Sequence, residues 1–272
     1  MRTTRGSLSN GHPRIALRAL AALTVVGMVT ANILANALPL FGRGTGEVSD
    51  LYPTLVTPAG YVFAIWGLIY IGLISYSLAQ FLPPLATDPL PDRLALPLVV
   101  SNIANVTWLL LWHSLNILWT VPVMVVLLAS LIAAYLISRR GRPQPPSPLE
   151  RWTVRAPLGL YLGWISVATI ANVANALVAI DWTGWGVPAA WWGVVVLVAG
   201  AALAVAGLAR EGDVVFAGVF AWALAGIAAA TPSDLVRFAA AVLSAGIVIA
   251  IVATIWRRGA GRARVLGTST ST

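Results

Sequence analysis

Aromatic rings and carboxamides at helical spacing are the residues of this chain best placed to do chemistry. Asn102, Asn105, Trp108 and Trp112 advance by three, three and four positions, which puts them on one helix face. Tyr61, Trp66 and Tyr70 fall within about three turns of another helix. Tyr161, Trp164, Ala168, Asn172 and Asn175 share a face of a third. Trp and Tyr rings stack on flat, largely apolar molecules, and a few amides orient a polar edge. The same residue types also serve plain helix packing, where an interhelical amide bond contributes ~0.6 kcal/mol. Spacing alone leaves both readings open.

Other chemistries lack their parts. The chain has no cysteine, so disulfides, thiolate metal sites and cysteine nucleophiles are excluded. His12 and His113 stand far apart without acidic neighbours, a poor basis for a metal site. His113 is expected to be an interfacial residue. The apolar stretches hold almost no ionisable side chains, which argues against proton relays, charged ion paths and hydrolysis within them. No general acid or base is expected in the core, so the chain does not read as an enzyme.

The elements that carry these faces are set by composition. Hydrophobic residues make up 59% of the chain, charged residues 10%, and the mean hydropathy is +0.86. A soluble domain carries about 25% charged residues. The expectation is therefore an all-α, polytopic integral membrane helix bundle. A spanning helix needs roughly 20 mostly apolar residues. Eight candidates lie at 15–38, 59–82, 94–112, 117–137, 156–180, 188–209, 214–230 and 235–256, the third and seventh being short. Ala35-Asn36-Ala37 before Pro39 also resembles a signal-peptide cleavage site, and cleavage there would leave seven spans.

All 17 basic residues are Arg, and the net charge is +8. With eight spans and a cytoplasmic N-terminus, 15 arginines fall inside, and Arg43 and Arg237 outside. The basic excess is thus a topology signal, and nucleic acid is not an expected partner. Both termini are expected in the cytoplasm, in a bacterial inner membrane. Residues 1–14 read as a basic tail, 39–58 as the longest outer loop, and 138–155 as an extended, mobile, Pro-rich inner connection. Residues 257–272 read as a disordered basic tail. Before about 188 the spans carry Asn, Trp, Tyr, Ser and Thr, and after it they are mainly Ala, Val, Leu, Ile and Gly. The expected division is a five-helix core at 15–180 and three additional helices at 188–256. Trp182, Trp185, Trp191 and Trp192 read as part of an interfacial belt.

Three motifs point to a family. Residues 53–70, PTLVTPAGYVFAIWGLIY, resemble the Pro-rich start and second helix of the TspO/MBR family, the tryptophan-rich sensory or translocator proteins. Asn105-Val106-Thr107-Trp108 resembles that family's third-helix N-x-x-W. Tyr161-Leu162-Gly163-Trp164, with Ala168-Thr169 and Asn172, resembles its fifth-helix motif. Tyr61 stands where the family usually has Trp, and the Trp that usually follows the fifth-helix Asn is absent. The resemblance covers about residues 15–180. It implies that Tyr61, Trp66, Asn105, Trp108, Trp164, Ala168 and Asn172 line a pocket for porphyrins and similar molecules, capped from outside by residues 39–58. No cofactor is required; a porphyrin or haem-like ligand is implied. Light- or oxygen-dependent tetrapyrrole breakdown, proposed for relatives, would need only Trp.

The expected function is binding of a porphyrin-like or other flat hydrophobic molecule, for sensing or transport. The alternatives are a small-solute exporter and a membrane scaffold or assembly partner docking through the last three helices. Expected partners are the lipid bilayer, a hydrophobic small molecule and, as an option, a second copy in a homodimer.

Overall fold

The computed structural model describes residues 12–38, 40–142 and 145–268. Among them every regular element is helical. The long helices are α1 (His12–Ala37), α3 (Ile65–Ala79), α4 (Leu90–His113), α5 (Ile117–Ile137), α7 (Ala156–Ala179), α8 (Ala189–Glu211), α9 (Val214–Ala230) and α10 (Asp234–Thr268). Two short ones, α2 (Thr45–Asp50) and α6 (Pro148–Glu150), lie in connections. A tight 3₁₀ stretch, Gly60–Ala64, leads into α3, and a π turn, Arg151–Arg155, leads into α7. Seven helical segments are long and apolar enough to cross a bilayer. The protein is a multi-pass helical membrane protein.

The apolar lengths place the helices where the sequence does, with one difference in length. The third span is not short: α4 runs 24 residues from Leu90. Pro91 suits a first turn, where its missing N–H is not needed, and the Leu90 N–H donates to Asp88 Oδ1 at 2.7 Å. The short one is α9, with 17 residues and thus about 26 Å of rise. Gly212 in the left-handed region (φ 61°) ends α8. The next residue, Asp213, starts α9 by accepting from the Val215 and Phe216 N–H groups.

Two expectations about connections give way. Residues 138–155 are not a free linker: Ser147 caps the turn α6, and the π turn continues directly into α7. Arg142 is fixed by carboxylates, as described below; residues 143–144 lie outside the described residues. At the C-terminus the helical backbone of α10 continues to Thr268, although Gly259, Gly261 and Gly267 in this stretch are poor helix formers. The tail expected at 257–272 is therefore largely helical in backbone, and 269–272 lie outside the described residues, as do 1–11 of the N-terminal tail.

The chain forms two compact units. The first comprises residues 1–48 and 66–158, the second 49–65 and 159–272. Most of α7 falls in the second unit with α8, α9 and α10. In the first unit, α4 packs on α1 and α5, and Leu85, Leu90, Leu94 and Leu98 meet Tyr76, Val154 and Leu158 in a buried cluster. Gly72 lets α3 approach closely, since a Cβ there would sit 3.0 Å from Pro157. In the second unit, α8, α9 and α10 pack on one another. Gly163 brings α7 onto α9, where a Cβ would lie 3.0 Å from Val219. Small residues at such crossings give the close van der Waals contact that membrane helices rely on.

Candidate functional site

The twelve residues singled out by spacing are distributed over both units. Trp66, Tyr70, Asn102, Asn105, Trp108 and Trp112 belong to the first, and Tyr61, Tyr161, Trp164, Ala168, Asn172 and Asn175 to the second.

In the first unit the amides of α4 face α1. Asn32 Nδ2 donates to Asn105 Oδ1 at 2.8 Å and to the Met28 carbonyl at 2.9 Å. One helical turn away, Asn102 Nδ2 donates to Thr24 Oγ1 at 3.1 Å. Asn36 continues the row by donating to the Asn32 carbonyl. Asn102 and Asn105 are each only 1% exposed, so these contacts are desolvated bonds between helices. Asn102 Oδ1 has no hydrogen-bond partner. The rings of this unit pair by stacking: Trp66 on Tyr70 at 5.6 Å and 26°, Trp108 on Trp112 at 5.3 Å and 19°. Trp112 is buried, and its Nε1 donates to the Thr45 carbonyl at 3.0 Å. His113, the last residue of α4, is fully buried within the protein, with Nε2 2.9 Å from Thr45 Oγ1. Both side chains fasten the start of α2 to the end of α4.

At the other end of the first unit lies a charged cluster that sequence reasoning assigned to topology alone. Arg18 is 7% exposed. Its guanidinium donates to Asp92 Oδ1 and to the carbonyls of Gln80, Leu85, Ala86 and Asp88. Arg142 donates to both oxygens of Asp88, at 2.8 and 2.9 Å, and to Glu150 Oε2 at 2.7 Å. Arg155 in turn donates through Nε to Glu150 Oε1 at 2.8 Å. Burial works against the charged form of Asp88, but the bonds from Arg142 and the Leu90 N–H outweigh it and hold the carboxyl below its ordinary value. The same bonds raise the pKa of Arg142. The residues are 54 or more positions apart for the Arg18–Asp92 and Arg142–Asp88 pairs, which is why no local pattern announced them.

In the second unit the polar and aromatic side chains of α7 hold a connecting segment. Tyr161 and Trp164 are buried, and Trp164 meets Phe63 edge to face at 5.5 Å and 85°. Asn175 is 2% exposed, and its Nδ2 donates to the Tyr52 carbonyl at 2.7 Å. Asn172 is buried and Ala168 half-buried on the same face. Tyr61 is 53% exposed, and its ring meets the Trp222 ring edge to face at 5.4 Å and 72°. Phe63 and Trp222 are the residues that sequence reasoning missed. Phe63 sits inside the quoted 53–70 motif, and Trp222 is the one ring in an otherwise aliphatic, Gly- and Ala-rich part of α9.

A small cavity of about 20 Å³ lies in this unit, lined by Val56, Val167, Leu197, Phe220, Leu224 and their neighbours. None of the twelve expected residues lines it, and it holds little more than one water-sized sphere. The Trp182, Trp185 and Trp192 rings form a separate knot, with centroids 5.3–5.9 Å apart, where α7 turns into α8. Trp192 Nε1 closes that turn on the Gly184 carbonyl at 3.0 Å. No group of three or more His, Cys, Asp or Glu able to hold a metal occurs among the described residues.

No curated protein and no solved structure matches the chain. A family model described as "TSPO-like protein" matches residues 18–253. The match extends past the 15–180 stretch that carries the motifs and takes in α8, α9 and most of α10. The chain, with its motif residues split between α3, α4 and α7 and with its last helices inside the match, belongs to the TSPO-like protein family.

Proposed function

We propose that this protein binds a flat, largely apolar molecule of porphyrin type within the membrane, for sensing or transport. The observation that carries the reading is the two aromatic contacts made by motif residues of the second unit, Phe63–Trp164 and Tyr61–Trp222. Indole and phenol rings at these angles offer faces and edges to a conjugated ring system. Buried amides beside them supply the few polar contacts that orient a ligand. Membership of the TSPO-like family supports the same reading. The small cavity is far from the ~300–1,000 Å³ of a ligand pocket, so binding requires the rings to part around the ligand.

The protein is placed in a bacterial inner membrane with both termini in the cytoplasm. The 15-to-2 arginine asymmetry supports this orientation. Arg18, Arg142 and Arg155 are tied to carboxylates, and the bias stays lopsided without them.

Mass spectrometry of the protein purified from its own host membranes tests the ligand class. The expected result is a co-purifying conjugated, apolar molecule that is lost from a Trp164→Ala variant. Co-purification of nothing but phospholipid, in equal amount from both proteins, would contradict the proposal.

A further inference from the structure

The last three helices have no assigned role, and one of them grips the segment that carries the 53–70 motif. On α9, Trp222 and Gly226 are four residues apart and so lie on one face. Trp222 Nε1 donates to the Val62 carbonyl at 3.2 Å. The Ala59 N–H donates to the Gly226 carbonyl at 3.1 Å. Between these two bonds the Val62 side chain packs on the helix backbone at Gly226, without room for a side chain there. A Cβ at Gly226 would overlap the Val62 Cγ2 methyl and would sit 3.4 Å from Pro58 Cβ. Val62 is fully buried at this contact, whereas Tyr61, the next residue, projects outward against the Trp222 ring. The tight 3₁₀ geometry of Gly60–Ala64 is thus fastened at both ends of its first turn.

We propose that α9 is the positioning element for the ligand-facing segment 59–63. Trp222 and Gly226 fix the backbone of residues 59–62, and this sets where the Tyr61 ring stands. The role rests on the ligand-binding reading above for its purpose, and on the two hydrogen bonds and the steric fit for its mechanism. It makes the C-terminal helices part of the binding function instead of an added scaffold. It also supplies a ring where this chain has Tyr61: the aromatic partner comes from α9.

The test uses the full chain in lipid nanodiscs with protoporphyrin IX as probe, and reads two quantities. One is amide hydrogen exchange over residues 59–63; the other is porphyrin affinity by Trp quenching. Gly226→Ala pushes Val62 off the helix and should speed exchange of the segment about tenfold, the effect of losing roughly one hydrogen bond. It should weaken porphyrin binding several-fold. Adding Val62→Ala removes the clashing methyl and should return both readings toward wild type. Trp222→Phe keeps a ring, loses the N–H and should give a milder form of both changes. Exchange unchanged in Gly226→Ala and Trp222→Phe would overturn the proposal. So would a Gly226→Ala defect that Val62→Ala fails to relieve, because that is a packing loss within α9 alone. If the wild-type protein binds no protoporphyrin, the ligand reading falls, and the exchange arm still decides whether α9 holds the segment.

Discussion

The two units use the same residue types for different purposes. In the first, buried amides pair helix to helix: Asn32 with Asn105, Thr24 with Asn102. In the second, Asn175 and Trp222 donate to main-chain carbonyls of a connecting segment, at Tyr52 and Val62. A helix in a bilayer satisfies its own backbone, so an amide on it binds another side chain or shares a carbonyl one turn back, as Asn32 does with Asn105 and Met28. A segment between the long helices offers carbonyls to neighbouring side chains: Tyr52 takes the Asn175 amide, and Val62, which also accepts from the Ile65 N–H, takes the Trp222 indole. An Asn on a polar helix face therefore says that a partner exists, and the presence of irregular backbone nearby decides which kind. The first unit reads as a helix-to-helix frame, and the second as a set of helices that hold a connecting segment.

Breaking the charged end of the frame should have the largest effect. Arg18→Met leaves Asp92 desolvated without its cation, and removal of one partner from such a pair costs about 3–5 kcal/mol. Unfolding in mixed micelles should shift by that amount, and the Arg18→Met, Asp92→Leu double variant should recover most of it. Next comes the amide row. Asn32→Leu should destabilise the first unit by about 1–2 kcal/mol by leaving a buried amide short of a donor, with little change in exchange over residues 49–65. Asn175→Leu should do the reverse, speeding exchange around Tyr52 while costing only about 1 kcal/mol overall. Equal responses of the two units to these two substitutions would remove the contrast drawn between them.

The smallest effect concerns pH. The carboxyl of Asp88 lies below its ordinary value of 3.8 in the folded chain. Its contribution is then fully present above that value and fades as pH falls through the lower, folded one. Exchange of residues 83–93 should quicken on acidification below about pH 3.8, and an Asp88→Asn variant should show the faster rate already at neutral pH.

Much of the fold is legible because a bilayer imposes length. Apolar runs near 20 residues locate every long helix, and the 3.6-residue period finds the polar faces of α4 and α7. Their partners are not legible. The run Ala31-Asn32-Ile33-Leu34-Ala35-Asn36 looks like a chance echo of residues 171–175 in an Ala-rich chain, yet Asn32 is the group that Asn105 meets. Spacing along one helix cannot name the residue opposite. The arginines were read as a count, and counting hides that Arg18 and Arg142 reach across long sequence separations to Asp92 and Asp88. Trp222 is hidden for a related reason: in an apolar helix that also carries Phe216 and Phe220 and has no polar pattern, nothing along the sequence names Val62 as its partner. Gly226 shows its meaning only when Val62 is seen against it.

The central claim is that the aromatic pairs on the motif residues bind a flat apolar ligand. Titrating the full chain in nanodiscs with protoporphyrin IX, while following Trp fluorescence, tests it most directly. Quenching should saturate in the wild-type protein, and a Trp164→Ala variant should bind at least about tenfold more weakly, the equivalent of ~1.4 kcal/mol. Wild-type affinity no better than that of the Trp164→Ala variant would contradict the account.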